Sequence, residues 1–150
     1  MKARKGFTLV EILIVVVILG ILAAIVIPQF TDASTEAKTS SLCTDLQTMR
    51  SQIELYKIQH NDGLPGVDNT ATGGAHTGGA GFVAALTGQT DINGEVGTDY
   101  GPYVQQIPLN QFNDKGDVEI DGDLGGGSHG WNFNTGTGAF HADTAAHTGL

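Results

Sequence analysis

Residues 5–30 read KGFTLVEILIVVVILGILAAIVIPQF, a stretch suited to oil that nevertheless carries an acid, Glu11, close to its start. An isolated acid at the centre of a membrane helix costs about 2.5 to 3.5 kcal/mol on insertion scales, so its presence asks for a function. At 1.5 Å per residue, a helix from Phe7 to Ile27 is roughly 30 Å long, enough to cross a bilayer. The run is longer than the apolar core of a secretory signal, and IVIPQF supplies no small-residue cleavage site after it, so the segment is expected to be retained. Lys2, Arg4 and Lys5 precede it, which by the positive-inside rule leaves the N-terminus cytoplasmic and sends the remainder outward. Gly20 and Pro28 interrupt the helix pattern. Between them the chain is expected either to bend or melt locally, or simply to kink at Pro28 where it leaves the membrane.

A plain anchor leaves Glu11 and Gly6 unexplained. A cut between Gly6 and Phe7 would create a terminal ammonium on Phe7, four residues before Glu11 and at a helix N-terminus, where negative charge is already favoured. In an assembly of parallel helices, Glu11 of one copy could then meet the Phe7 ammonium of another. A misaligned copy would leave two buried charges without partners, so the pair can select register even where it adds little net stability.

The basic leader, G-F-T-L-V-E, the apolar run and the closing Pro28 together resemble the leader and N-terminal helix of type IV pilins and type II secretion pseudopilins. That resemblance covers about the first thirty residues. It implies that a prepilin peptidase cuts after Gly6 and methylates Phe7, and that Glu11 is the family's assembly glutamate. It further implies a homo-oligomeric filament, raised by an inner-membrane assembly platform together with minor pilin-like subunits. The stretch DLQTMRSQIELYKIQHNDGLPG (45–66) resembles the end of the same helix in major pseudopilins, and YGPYVQQIPLNQF (100–112) resembles a tyrosine-glycine-proline turn found there.

The chain has 150 residues and a formal charge of -9; loss of Lys2, Arg4 and Lys5 would leave four basic residues against sixteen acids, a net of -12. Such a chain has nothing with which to neutralise phosphates, so nucleic acid is not an expected partner. Cys43 is the single cysteine, which excludes an intrachain disulfide and fits a small buried or interfacial side chain. With 22 glycines and 7% aromatic residues, the soluble part should be loop-rich, its core gathered around a few large side chains.

Leu42, Leu46, Met49, Ile53 and Tyr56 recur at alternating steps of four and three, which puts them on one stripe of a helix. This helix is expected from about residue 30 to His60, with Asn61, Asp62 and Gly63 as the stop signal and Pro65 beyond. Residues 66–98 read as a glycine-rich surface loop lacking a phosphate-cradling pattern, with a short helix in GFVAALTG (81–88). GDVEI (116–120), GWNFN (130–134) and GAFHA (138–142) read as strands, the last two joined by TGTG. Trp131, Phe133 and Phe140 should face the helix stripe.

Asp117, Glu119, Asp121 and Asp123 alternate along the first of these strands, with Asp114 nearby, and read as a solvated acidic face. Their spacing fails the EF-hand pattern, because Leu124 stands at its glycine position. Major pseudopilins bind calcium in a C-terminal loop, and the resemblance therefore leaves a structural calcium near Asp114 to Asp123 as a secondary reading. His129, His141 and His147 are expected at exposed positions, and no catalytic motif is present in the sequence.

These readings combine into an α+β, pilin-like fold: a long N-terminal helix, half in the membrane and half soluble, packed on a small C-terminal antiparallel sheet. The expected parts are a leader (1–6), a membrane and filament-core helix (7–28), the amphipathic half of the helix (29–62) and a globular part (63–150). Processing is assigned to Gly6 and Phe7, and assembly to Phe7, Glu11 and Pro28. The resemblance implies a structural, non-enzymatic subunit in the bacterial inner membrane, most closely the major pseudopilin of a type II secretion system, with its globular part periplasmic or extracellular. A type IV pilus subunit for adhesion or motility is the alternative, and a membrane-tethered enzyme or binding module the remote one.

Overall fold

The computed structural model describes residues 6–67 and 77–150. The basic leader before Gly6 and the centre of the glycine-rich loop lie outside the described residues. The chain divides into two compact units, Met1–Ala37 and Lys38–Leu150. The element order is α1 (Leu9–Gln59), α2 (Gly78–Thr87), β1 (Val118–Ile120), β2 (Trp131–Phe133) and β3 (Phe140–Ala142).

In the first unit, every large apolar side chain from Leu9 to Ile27 is more than half exposed, on all sides of α1. The helix is long and apolar enough to cross a membrane. Pro28 lies inside α1, which remains helical through it and through Gly20, so the local melting weighed for this zone does not occur in the single subunit. The cost of a proline is one backbone donor and a local clash, whereas unwinding a lipid-facing segment would strand several donors and acceptors without water.

In the second unit, Leu42, Leu46, Met49, Ile53 and Tyr56 are each at most 1% exposed. Their stripe shares one core with Phe82, Ala85 and Leu86 of α2, Val118 of β1, Trp131 and Phe133 of β2, and Phe140 and Ala142 of β3. Phe82 sits 4.8 Å from Phe133 and 5.8 Å from Phe140, ring centre to ring centre, so α2 closes the core over the sheet aromatics. Arg50 fastens the stripe to the sheet edge: its Nε and Nη2 donate to the Phe140 carbonyl at 3.1 and 2.9 Å. The α1 helix stops where Asn61 and Asp62 turn left-handed, at φ 52° and 63°, as the Asn-Asp-Gly signal anticipates. The start of α2 is glycine for a different reason: a Cβ at Gly79 would collide with the Val118 carbonyl of β1.

The α+β, pilin-like architecture is as read from the sequence, but the sheet is mixed. The order is β1-β2-β3, with β2 and β3 antiparallel and β1 parallel to β2, pairing Val118 with Trp131 and Ile120 with Phe133. Parallel pairing requires the chain to return to the starting end of β1, and the ten residues 121–130, rich in glycine, provide that crossover.

Burial predicts a sharp contrast between two apolar residues. Phe133→Ala, in a site with no exposure, should destabilise the globular unit by roughly 3 to 5 kcal/mol. Ile58→Ala, at a position 77% exposed, should stay within about 0.5 kcal/mol of the parent in the same denaturant titration.

Candidate functional site

The first turn of α1 is organised by two side chains. Glu11 Oε2 accepts from both the amide and the hydroxyl of Thr8, each at 2.8 Å, and the Glu11 amide donates to Thr8 Oγ1 at 3.3 Å. This is a capping box, in which the T-x-x-E spacing satisfies orphan donors at a helix start reciprocally. Thr8 was the residue missed by sequence reasoning, although Thr8-Leu9-Val10-Glu11 carries the signal for it. Glu11 is therefore presented at the helix start with one oxygen engaged by its own chain; among the described residues no donor meets the other. Phe7 is 83% exposed beside it. Among the described residues, nothing lies within 4 Å of where a Cβ on Gly6 would be. The exposed Phe7 and the Glu11 carboxylate thus share the start of α1. Pro28 lies about twenty residues further on. It is not brought near this turn, since one helix separates them at 1.5 Å per residue.

The acidic segment of the second unit is not one uniform face. Only Asp117 and Glu119 flank or occupy β1 with alternate spacing; Asp121 already turns left-handed, at φ 53°. Asp117 Oδ1 accepts from the Gly130 amide at 3.1 Å, and Asp121 Oδ1 from the Thr135 amide at 2.7 Å. Thr135, through its hydroxyl and then its amide, holds the Asp121 carboxyl below the ordinary aspartate value of 3.8. Asp117 and Asp121 thus each pin a neighbouring loop rather than standing as free acids on one strand face.

The group that does converge, among the described residues, is Glu119, His129 and Asp143, with one ligand atom from each lying within 4.8 Å of the others. His129 Nδ1 faces Glu119 Oε2 at 3.3 Å, and its Nε2 lies 3.7 Å from Asp117 Oδ2. Asp143 is fully buried, and its Oδ2 accepts from the His129 amide at 2.9 Å. Burial pushes the Asp143 carboxyl up, but the facing amides of His129, Gly127, Gly125 and Gly126 outweigh it and hold the group below 3.8.

The histidines correct the expectation of exposed positions. His129, His141 and His147 are half-buried, and His147 stacks on Phe112 with ring centres 4.0 Å apart. They do not share one site. His60, read only as the helix end, is buried and stacks on Tyr56 at 3.8 Å, with Nε2 2.9 Å from Thr90 Oγ1. It stands four residues after Tyr56 and so continues the buried stripe. Cys43 is half-buried, as a small interfacial side chain should be.

Residues 1–27 match the family model described as the prokaryotic N-terminal methylation motif. Over 59 residues the chain is 41% identical to the type II secretion system core protein G of Pseudomonas aeruginosa, covering 39% of this chain and 42% of that protein. It is 44% identical over 54 residues to a fimbrial protein of the same species, covering 36% of this chain and 35% of the relative. The type IV major fimbrial protein FimA of Dichelobacter nodosus is 36% identical over 93 residues, covering 59% of this chain and 60% of the relative. The chain therefore spans less than two thirds of the length of each of these curated relatives. No solved structure matches it. Its N-terminal segment is similar to those of type II secretion core proteins and type IV fimbrial proteins.

Acid should destabilise the globular unit through the lowered carboxyls. A group depressed on folding contributes stability that is fully present above its unfolded value, here 3.8, and lost as pH falls through the lower folded value. Thermal midpoints should accordingly hold down to about pH 4 and fall steeply below it. Asp121→Asn should have a lower midpoint near neutrality and a shallower acid slope than the parent.

Proposed function

We propose that the protein is the structural subunit of a pilin-like filament, and specifically the major pseudopilin of a type II secretion system. The observation that carries this reading is the first turn of α1: an exposed Phe7 directly after Gly6 and a Glu11 held by Thr8, inside a matched methylation motif. On this reading residues 1–6 are a leader that stays cytoplasmic. A prepilin peptidase removes it and methylates Phe7, residues 7–28 anchor the subunit in the inner membrane, residues 29–62 carry the amphipathic half of the helix, and residues 63–150 stand on the periplasmic side.

The mature helix then carries an ammonium on Phe7 and a carboxylate on Glu11. As subunits leave the bilayer, Glu11 of one copy takes the Phe7 ammonium of a neighbour, and the apolar surfaces of Leu9 to Ile27 bury one another instead of lipid. An out-of-step copy would bury a lone charge, at a cost on the order of 3 to 5 kcal/mol, so the pair sets the rise between subunits. Pro28 marks the end of the apolar part, where a missing backbone bond lets the helix adjust to its neighbours. An assembly platform and minor pilin-like subunits would drive and cap this process, and the growing pseudopilus would push folded proteins outward. The role is structural rather than enzymatic, and the assembly step calls for no cofactor.

A type IV pilus subunit is the second reading, favoured by the fimbrial relatives. The single Cys43 favours the pseudopilin, since many type IV pilins close a C-terminal loop with a disulfide that this chain cannot form. Deleting the gene should abolish protein secretion; lost surface fibres with intact secretion would decide for the pilus.

Mass spectrometry of the protein from its native host should find a chain starting at Phe7 and bearing one extra methyl group. Glu11→Leu should accumulate normally in the membrane yet fail to enter sheared or cross-linked filaments. A leader-bearing monomer in the first experiment, or wild-type filaments in the second, would refute the filament reading.

A further inference from the structure

We infer that Glu119, His129 and Asp143 form a binding site for a divalent transition-metal ion of the zinc type, a site the filament function does not require. Three separate segments meet there: Glu119 from β1, His129 from the crossover that returns the chain to β2, and Asp143 from just beyond β3. His129 Nδ1 and Asp143 Oδ1 are buried and make no hydrogen bond of their own, although the amides of Gly125, Gly126 and Gly127 face the Asp143 carboxyl. An unpartnered acceptor in such a position costs stability unless a cation or donor meets it.

The imidazole has the orientation of a ligand. Its Nδ1 lies 3.3 Å from Glu119 Oε2 without hydrogen-bond geometry. Two ligands held about 2.0 to 2.1 Å from a tetrahedral zinc stand about 3.3 Å apart, so this spacing is that of two corners of a coordination shell. On the far side of the ring, Nε2 lies 3.7 Å from Asp117 Oδ2. At that distance the Asp117 carboxylate attracts the ring by charge without hydrogen-bonding it, whereas a metal-bound histidine usually donates its second nitrogen to such a group. Glycine at 122 leaves room for the Glu119 carboxylate, which a Cβ there would displace.

Ligand chemistry chooses the ion. One imidazole nitrogen with two carboxylates suits zinc and its neighbours in the first transition row, whereas calcium takes six to eight oxygens and gains nothing from a nitrogen. The three protein ligands leave a fourth position for water. A bound ion would tie β1, the crossover and the end of β3 together, a useful staple for a globular unit whose core rests on a few aromatic rings.

The test uses the full chain in detergent micelles, stripped with a chelator and titrated with zinc chloride, calcium chloride or neither. Zinc should bind at one equivalent and raise the thermal midpoint, and calcium at the same concentration should not. His129→Ala should weaken zinc binding at least about tenfold, while His141→Ala and His147→Ala leave it unchanged. Glu119→Gln, nearly isosteric, should weaken it likewise, and decides the matter if His129→Ala does not fold. No zinc-dependent shift in the parent, parent affinity in Glu119→Gln, or calcium acting as well as zinc would each overturn the site. The readout is independent of filament assembly, so either proposal can fail alone.

Discussion

A helix placed in lipid must satisfy its polar groups from within, and α1, long and apolar enough to cross a membrane, has Thr8 and Glu11 to do so in its first turn. The initial amides of any helix lack intrahelical acceptors, and hydrocarbon offers none. Glu11 supplies an acceptor to the Thr8 amide and hydroxyl, while Thr8 Oγ1 takes the Glu11 amide. The acid that looks out of place in an apolar run is therefore a helix-starting group as well as a charge. Its carboxylate is oriented within the single chain.

The globular unit solves the opposite problem, that of making a stable core from a chain rich in glycine. Its large side chains are concentrated on one stripe of α1 and on the inner residues of β2 and β3, with Phe82 completing the layer. Polar anchors then fix the segments that cannot pack. Trp131 Nε1 donates to the Pro108 carbonyl at 2.8 Å, and Asn110 Nδ2 donates to the Gly130 carbonyl at 2.8 Å, so the long segment before β1 is pinned to the sheet at two points. Tyr103 makes a third tie, its hydroxyl donating to Gln59 Oε1 at 2.6 Å near the end of α1. Each such bond contributes only about 1 kcal/mol net, but each also spares a buried polar group from being stranded.

What could be read from the sequence follows from where the determining interactions lie. Helix periodicity is local, so the five stripe residues, the end of α1 and the α2 face around Phe82 were legible, as were the three short strands. Pairing direction depends on the path of residues 121–130, and no period in the strands encodes it. The T-x-x-E signal at Thr8 was present but was overshadowed by the charge of Glu11. The cluster of Glu119, His129 and Asp143 had no signal at all, since its members stand ten and fourteen residues apart on three segments. Alternation placed Glu119 with Asp117 and Asp121, whereas the left-handed turn at Asp121 ends that pattern: Asp121 goes to Thr135 while Asp117 and Glu119 both face His129.

On the filament reading, the capping box bears on how a subunit leaves the bilayer. A carboxylate with no partner would hold the first turn at the membrane surface, where water can reach it, and resist any transfer into a packed apolar bundle. With Oε2 already engaged by Thr8, part of that desolvation is met inside the subunit. The unengaged oxygen remains for the ammonium of a neighbour, so capping and pairing need not compete for the same atom. Thr8 then lowers the barrier to assembly without contributing to the choice of register, which belongs to the charges on Phe7 and Glu11. One short turn in this way separates the energetics of extraction from the specificity of stacking.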